Sequence, residues 1–446
     1  MADEKHIIIA SKGAAAWNGW VSGLKEKTIA DFSNHTFEDN VSFDNFNFLW
    51  GADFSKATFL KNASFAECVF SDVAIFDDAI FGSVCDFTSA HWHRPASFDR
   101  THFQGTAIFE KCKVSREVSF NNALFGKPGM AHVLNHPSGM MVHVAFGTAR
   151  FEEAFLWKAD FCWATFHVPA HFRGTSFGHE IEFQAIKFLS EADFQNAEFQ
   201  SPAMFDQTVF CGANFSSTKQ TTESFEFPIS FRGCVFSDYA NFKNRRFRNT
   251  ADFEGAEFQV APLFHGSELH QHTVFTDVRF DILSKDAESA YRALKLAMNK
   301  HHAHAEEMMF FRLEMQARRY KTKWPGKALY WLYELCSDYG QSIARPAGIL
   351  FGSFWLFLVW YWMILFNGRL DEVAATAGSN RIGKLYVFTL EHTVPFLLPV
   401  VKAVDTLPGV GFSAWTSTLV AIHTTISIVL FFFLLLGIRN RFRLKG

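Results

Sequence analysis

The chain has 446 residues, a formal net charge of −3, 55 Phe and seven cysteines. That length allows two or more structural units. The odd cysteine count without any CxxC argues against a disulfide framework or a zinc site, and a reducing cytoplasmic side fits best. Charge is uneven: residues 30–283 carry 31 acidic and 19 basic side chains, a net of −12, and the remainder 14 acidic and 23 basic, a net of +9. An acidic first part joined to a basic second part is the expected pattern where a soluble module meets a membrane.

At the N-terminus, MADEKHIIIASKG has an apolar run only from Ile7 to Ala10. That is too short for a signal peptide, so the following module is expected to stay unexported. Residues 1–29 read as an N-terminal cap, with Trp17 and Trp20 covering the open end of a repeat array.

From Ala30 an eleven-residue unit begins, clearest in ADFSKATFLKN, ASFAECVFSDV and AIFDDAIFGSV (Ala52–Val84). Position 1 is small and position 3 Phe; position 6 is small and position 8 Phe. Positions 1 and 3 share one side of an extended segment, as do 6 and 8. Each unit therefore buries two small/Phe pairs, each Phe contributing roughly 1.5–3 kcal/mol over exposure. Polar residues fill the positions between. Steps of five and six keep no constant face on a 3.6-residue helix. Cys68, Cys85, Cys112 and Cys234 occupy small slots, as small buried hydrophobes would. The units run to Pro128, break at Met130–Thr148, resume over Ala149–Phe215, break near Ser216–Pro228, and finish over Ile229–Leu283, about twenty in all. The breaks read as loops extruded from corners.

In its recurring ADF, ASF, ANF and AHF triplets this stretch resembles the pentapeptide-repeat family, whose unit is A(D/N)[L/F]xx. The resemblance covers residues 30–283. It implies a β-solenoid, a right-handed quadrilateral β-helix with about four pentapeptides per coil. The sixth residue in every second unit departs from that pattern and is expected to widen some corners. Two elevens per coil give about ten coils, a rod of about 45–50 Å at β-sheet spacing. AWNGW (Ala16–Trp20) is similar to the lead-in of some members. The densest basic run of the acidic rod holds Lys243, Arg245, Arg246 and Arg248. It reads either as a contact with the anionic inner leaflet or as a solvated basic face.

Residues 284–345 read as a helical linker. Lys285–Lys321 lacks Gly and Pro and carries Tyr291, Leu294, Met298, Ala305 and Met309 at helical spacing, as a hairpin or one long helix. YRALK there is similar to segments accompanying such repeats in membrane-attached relatives. His301, His302, His304 and Glu306 suggest a metal site, but a solvated turn is the plainer reading, since no second ligand set completes one. Lys327–Gly340, with its Trp and Tyr residues, reads as an interfacial helix.

Residues 346–446 read as a transmembrane hairpin. Ala347–Phe366 and Phe412–Ile438 lack Asp, Glu, Lys and Arg and are long enough to span a bilayer. Basic residues before the first (Lys321, Lys323, Lys327, Arg345) and after the second (Arg439, Arg441, Arg443, Lys445) predict both termini on the cytoplasmic side of the inner membrane. Between the spans lies a half-length apolar segment, 385–401, broken by Pro395 and Pro399: a re-entrant pore loop or an interfacial helix. The order resembles the two-span cation-channel plan, without a TVGYG-type filter. Thr416, Ser417, His423, Thr424 and Ser427 fall on one arc of the second span, lining a pore or serving helix packing. Glu391 and His392 stand where an outer vestibule would be, or simply at the interface.

The expected function is a homo-oligomeric ion channel or pore-like protein in contact with membrane lipids, its cytoplasmic repeats serving assembly or sensing. The alternative is a membrane-anchored scaffold that binds a protein partner on the solenoid flank. No cofactor, nucleic acid or enzymatic activity is expected: acidic side chains do not converge, no nucleophile motif appears, and the acidic excess is modest for a DNA mimic.

Overall fold

The computed structural model describes residues 2–126, 132–135, 141–144, 148–179, 181–218, 224–366, 381–395 and 414–443. It divides into two compact units, residues 1–307 and 308–446.

The first unit is a β-solenoid. One coil uses four two-residue strands, for example Ala52–Asp53, Thr58–Phe59, Ala63–Ser64 and Val69–Phe70. Each pairs in parallel with its counterpart one coil on, Ala52 with Ala74, Phe59 with Phe81, Ala63 with Cys85 and Phe70 with Trp92. Two eleven-residue units therefore make one four-sided coil. Along one side the ladder passes through Ala30, Ala52, Ala74, Ala96, Val118, Ala159, Ile181, Ala203, Ile229 and Ala251, ten coils as the spacing predicts.

The aromatic core follows from that register. Phe54 lies over Phe76 with ring centroids 4.9 Å apart and planes 4° from parallel, and Phe59 over Phe81 at 4.7 Å and 1°. Isolated aromatic pairs disfavour such a sandwich; the strand spacing of about 4.8 Å imposes it. Within a coil the rings meet edge to face instead, Phe54 against Phe65 at 5.3 Å and 87°, an arrangement worth about 0.5–1.5 kcal/mol beyond its area.

Corners explain the rest of the unit. Ala57 N–H donates to the Phe54 carbonyl at 3.0 Å, closing a tight turn whose third residue, Lys56, has φ 56°. The same left-handed position recurs at Glu67, Asp78, Ser89 and Arg100. Strain at such a residue costs of order 1 kcal/mol, and its N–H is engaged with the next coil, as Lys56 N–H is with the Asp77 carbonyl at 2.8 Å. The extra residue of each eleven lies at the following corner, Leu60–Asn62.

The small slot at position 6 does more than make room. Its side chain can donate into the coil before: Cys68 Sγ to the Phe43 carbonyl at 3.0 Å, Thr101 Oγ1 to that of Phe76 at 2.8 Å, and Cys234 Sγ to that of Phe205 at 2.8 Å. Burial pushes the Cys112 thiol up to about 12 and raises those of Cys68, Cys85 and Cys234 well above their usual range. With the thiolate so disfavoured, these four cysteines are expected to resist a disulfide reagent at pH 8 in the folded protein. They should react within minutes once it is unfolded, as counted by absorbance.

Both ends of the ladder are covered. Helices α1 (Glu4–Ala10) and α2 (Ala14–Ser22) precede the first coil. Trp17 is fully buried against Phe32, Phe46 and Phe48, and Trp20 packs on it tilted, with ring centroids 5.1 Å apart. Asn18 imitates a strand edge, donating to the Asn45 carbonyl at 3.0 Å and accepting from Asn47 N–H at 2.8 Å. After the last coil, α3 (Ala287–Lys300) lays buried Tyr291 edge-on to Phe280 at 5.8 Å. The break at Met130–Thr148 contains an antiparallel hairpin, His132–Asn135 with Met141–Val144. Its other residues, 130, 131, 136–140 and 145–147, lie outside the described residues, as do 219–223 of the second break.

The linker is helical in pieces. A turn at His301–Ala303 separates α3 from α4 (His304–Lys321), so the stretch is not one long helix. His304 pairs with Glu307 at 3.2 Å, a local contact within the first turn of α4. In the second unit follow α5 (Gly326–Ser337) and α6 (Ala344–Phe366). Then come the half-length α7 (Arg381–Thr393) and the long α8 (Ala414–Arg443).

Candidate functional site

Two helices of the second unit are long and apolar enough to cross a membrane, over Ala344–Met363 and Ser417–Phe442. Between them in sequence, α7 has 13 residues, about 20 Å of helix, too short for a hydrocarbon core of about 30 Å. It begins four residues before the apolar segment read from the sequence, because Arg381 and Lys384 join its first turn. Residues 396–401 of that segment lie outside the described residues.

α7 packs on both long helices. Phe357, Tyr361, Leu385, Phe388 and Leu419 form one buried cluster. Tyr386 meets Phe354 at 5.1 Å and Phe388 meets Tyr361 at 5.3 Å, both edge-on. A directed hydrogen-bond chain runs beside this cluster. Thr393 Oγ1 donates to the Thr389 carbonyl at 2.8 Å. Having one proton, it must accept in its contact with His423 Nε2 at 3.2 Å. His423 is thereby assigned a proton on Nε2, and its Nδ1 accepts from Tyr361 Oη at 3.1 Å. Its ring also stacks on Phe357 at 3.9 Å. Next to it, Thr424 Oγ1 donates to the Val420 carbonyl at 2.9 Å and accepts from His392 Nδ1 at 3.1 Å. One buried imidazole thus ties together all three helices.

The sequence arc is therefore divided. His423 and Ser427 are fully buried within the protomer, and Thr424 is partly buried against His392. For His423 and Thr424 the arc packs within the protomer, the second of the two readings left open by the sequence, because α7 lies against it. Ser427 Oγ is buried and has no hydrogen-bond partner among the described residues. Ser417 is exposed, and the side chain of Thr416 lies outside the described residues. Of the vestibule candidates, Glu391 is half-buried, whereas His392 points into the bundle. Sequence reasoning missed Tyr361 and Thr393; their signal was the excess of hydrogen-bonding side chains near a His within a long apolar helix. Tyr361→Phe is expected to cost the helical unit about 1 kcal/mol, read as a lower thermal midpoint in detergent.

The basic run of the solenoid also needs correction. Arg245 is fully buried, not at a surface. It occupies a position-6 slot, with Nε donating to the Phe215 carbonyl at 2.6 Å and one terminal nitrogen to that of Ala197 at 2.9 Å. Arg246 pairs with Glu268 at 3.2 Å, Lys243 is half-buried and Arg248 exposed. The run is therefore no continuous basic face.

Residues 43–91 and 87–128 match the family model described as pentapeptide repeats (9 copies), and the ladder they start continues in the same register beyond the matched stretch. No curated protein and no solved structure matches the chain.

Proposed function

Because this chain carries pentapeptide repeats folded as a solenoid, with two helices able to cross a membrane, we propose that it is a homo-oligomeric, pore-like ion channel of the inner membrane. The repeats serve assembly or sensing on the cytoplasmic side. Arg345 at the start of the first apolar helix and Arg439, Arg441 and Arg443 at the end of the second support a cytoplasmic position for both termini. In this reading the chain catalyses no covalent chemistry.

The observation that carries the proposal is α7. Its Thr393 bonds His423, six residues inside the segment Ser417–Phe442, or about 9 Å along the helix. A helix that ends at such depth leaves its last carbonyls without intrahelical partners. In lipid each costs several kcal/mol, so protein or a water-filled cavity must surround them. Two spans and a half-length helix cannot enclose a conduit, so further copies of the chain supply the rest. Purified protein in planar bilayers is expected to give discrete current steps. Silence under voltage, tension and pH changes would count against conduction.

The hairpin His132–Asn135/Met141–Val144 favours a second reading, a membrane-anchored scaffold. Two strands alone are marginal in water, and a partner that added a strand would steady them. Deleting both insertions without loss of partner capture would remove this reading.

A further inference from the structure

The corner between α4 and α5 has two faces of opposite character. Inward, Tyr333 stacks on Phe433 at 5.4 Å, and Asn440 Nδ2 donates to the Gly340 carbonyl at 2.9 Å. These partners lie in the C-terminal half of α8, Asn440 directly between Arg439 and Arg441. α5 is thus held beside the charged end of a membrane-length helix, where hydrocarbon gives way to headgroups. Outward, Trp324 just before α5 is 77 % exposed, and Leu329 and Trp331 on it are 70 % and 53 % exposed. Between the faces runs a groove of about 560 Å³ lined by Arg319, Tyr320, Trp324, Lys327, Trp331 and Leu332.

We propose that this groove binds an anionic phospholipid of the cytoplasmic leaflet, a reading that rests on the membrane-spanning function proposed above. The phosphate sits at its cationic mouth and an acyl chain lies along its Trp and Leu wall. Charge supports this occupant. From Arg318 to Arg345 there are six basic residues, against Glu334 and Asp338. Both acids are already engaged: Arg319 holds the Glu334 carboxylate, with Gln316 Nε2 donating to it at 3.0 Å, and Arg312 pairs with Asp338 at 3.4 Å. Arg318 and Arg345 are likewise ion-paired, with Glu314 at 3.5 Å and Asp338 at 3.6 Å, and the cations offered at the groove are the exposed Lys323 and Lys327. Lys327 Nζ stands 6.0 Å from the Tyr320 ring centre, a cation beside an aromatic surface, as interfacial helices place them. A second copy of the same basic corner would repel it.

The test is native mass spectrometry of the full chain in neutral detergent with phosphatidylglycerol or phosphatidylcholine of identical acyl chains. The wild type should retain phosphatidylglycerol at least about fivefold better than phosphatidylcholine. The double variant Lys323→Gln, Lys327→Gln changes two exposed side chains and should fall to the phosphatidylcholine level; unchanged circular dichroism checks its fold. Equal retention of both lipids by the wild type, an undiminished preference in the variant, or displacement of the lipid by millimolar inorganic phosphate would each overturn the assignment. Recovery of the chain in the soluble fraction without detergent would instead remove the membrane reading, before any lipid is added.

Discussion

Trp17→Ala is expected to lower the stability of the solenoid unit by about 3–5 kcal/mol, the range for deleting a buried large aromatic. Trp17 has no exposed surface, and its ring lies 5.6–5.7 Å from those of Phe32, Phe46 and Phe48. Its Nε1 donates to the Asn47 carbonyl at 3.1 Å. Alanine opens the first coil's aromatic face to water and leaves that carbonyl unpaired. In a stack held by nearest-neighbour contacts, the loss is felt first at the end. Hydrogen exchange should therefore rise over residues 30–60 before the middle coils respond, and the chemical denaturation midpoint should fall. Trp17→Phe keeps most of the packing and should cost less than half as much. A change below about 1 kcal/mol for alanine, the ordinary effect of a point mutation, would show that the helical cap does not hold the ladder.

Arg245→Ala should be nearly as costly, about 3–5 kcal/mol, the range for breaking a buried charged interaction. The reason is a vacancy one coil earlier. There the position-6 residue is Thr218, which is exposed and hydrogen-bonds Asn196 at the surface. Among the described residues no small side chain then fills the slot between Ala197 and Arg245. The guanidinium reaches through it, to the carbonyl of Phe215 and also to those of Phe194 at 3.3 Å and Ala197 at 2.9 Å, two coils back. Its plane lies over Phe225 at 4.7 Å. Alanine would leave a cavity and take the guanidinium donor from the Phe215 and Ala197 carbonyls, about 1–3 kcal/mol for each left unsatisfied; that of Phe194 still accepts from Ala197 N–H at 3.0 Å. Arg245→Met fills the volume without the hydrogen bonds and should recover only part of the loss. Arg248→Glu, on an exposed neighbour, should change stability by less than about 0.5 kcal/mol. Thermal unfolding of the three variants separates them; equal small shifts would contradict the buried role.

The contrast between Arg245 and Phe54 shows what a sequence discloses. Phe54 announces its place because the same residue type returns at every coil, and parity alone turns it inward. The position-5 corner residue is just as regular in space, with φ 56° at Lys56, 56° at Glu67, 57° at Asp78 and 58° at Ser89. It is invisible in the sequence because the backbone, not the side chain, demands the left-handed turn. Arg245 was misread for another reason: its burial depends on where Thr218 goes, and a charge count has no access to that. In the second unit, the polar arc of α8 was legible from a 3.6-residue period, but its direction was not. A period says which residues share a face and not what covers it. α7 covers it, and Arg381 and Lys384 hid the start of that helix from a reading based on hydropathy.

The proposed homo-oligomeric channel requires neighbouring copies of the chain to surround the last turn of α7 at membrane depth. Its most direct test is the mass and image of the protein extracted in mild detergent. The expected result is a closed ring whose protein mass is a whole multiple of 50.8 kDa, with the C-terminal ends of α7 gathered about a hydrated axis. A particle of 50.8 kDa alone, or a ring in which α7 faces lipid, would contradict it.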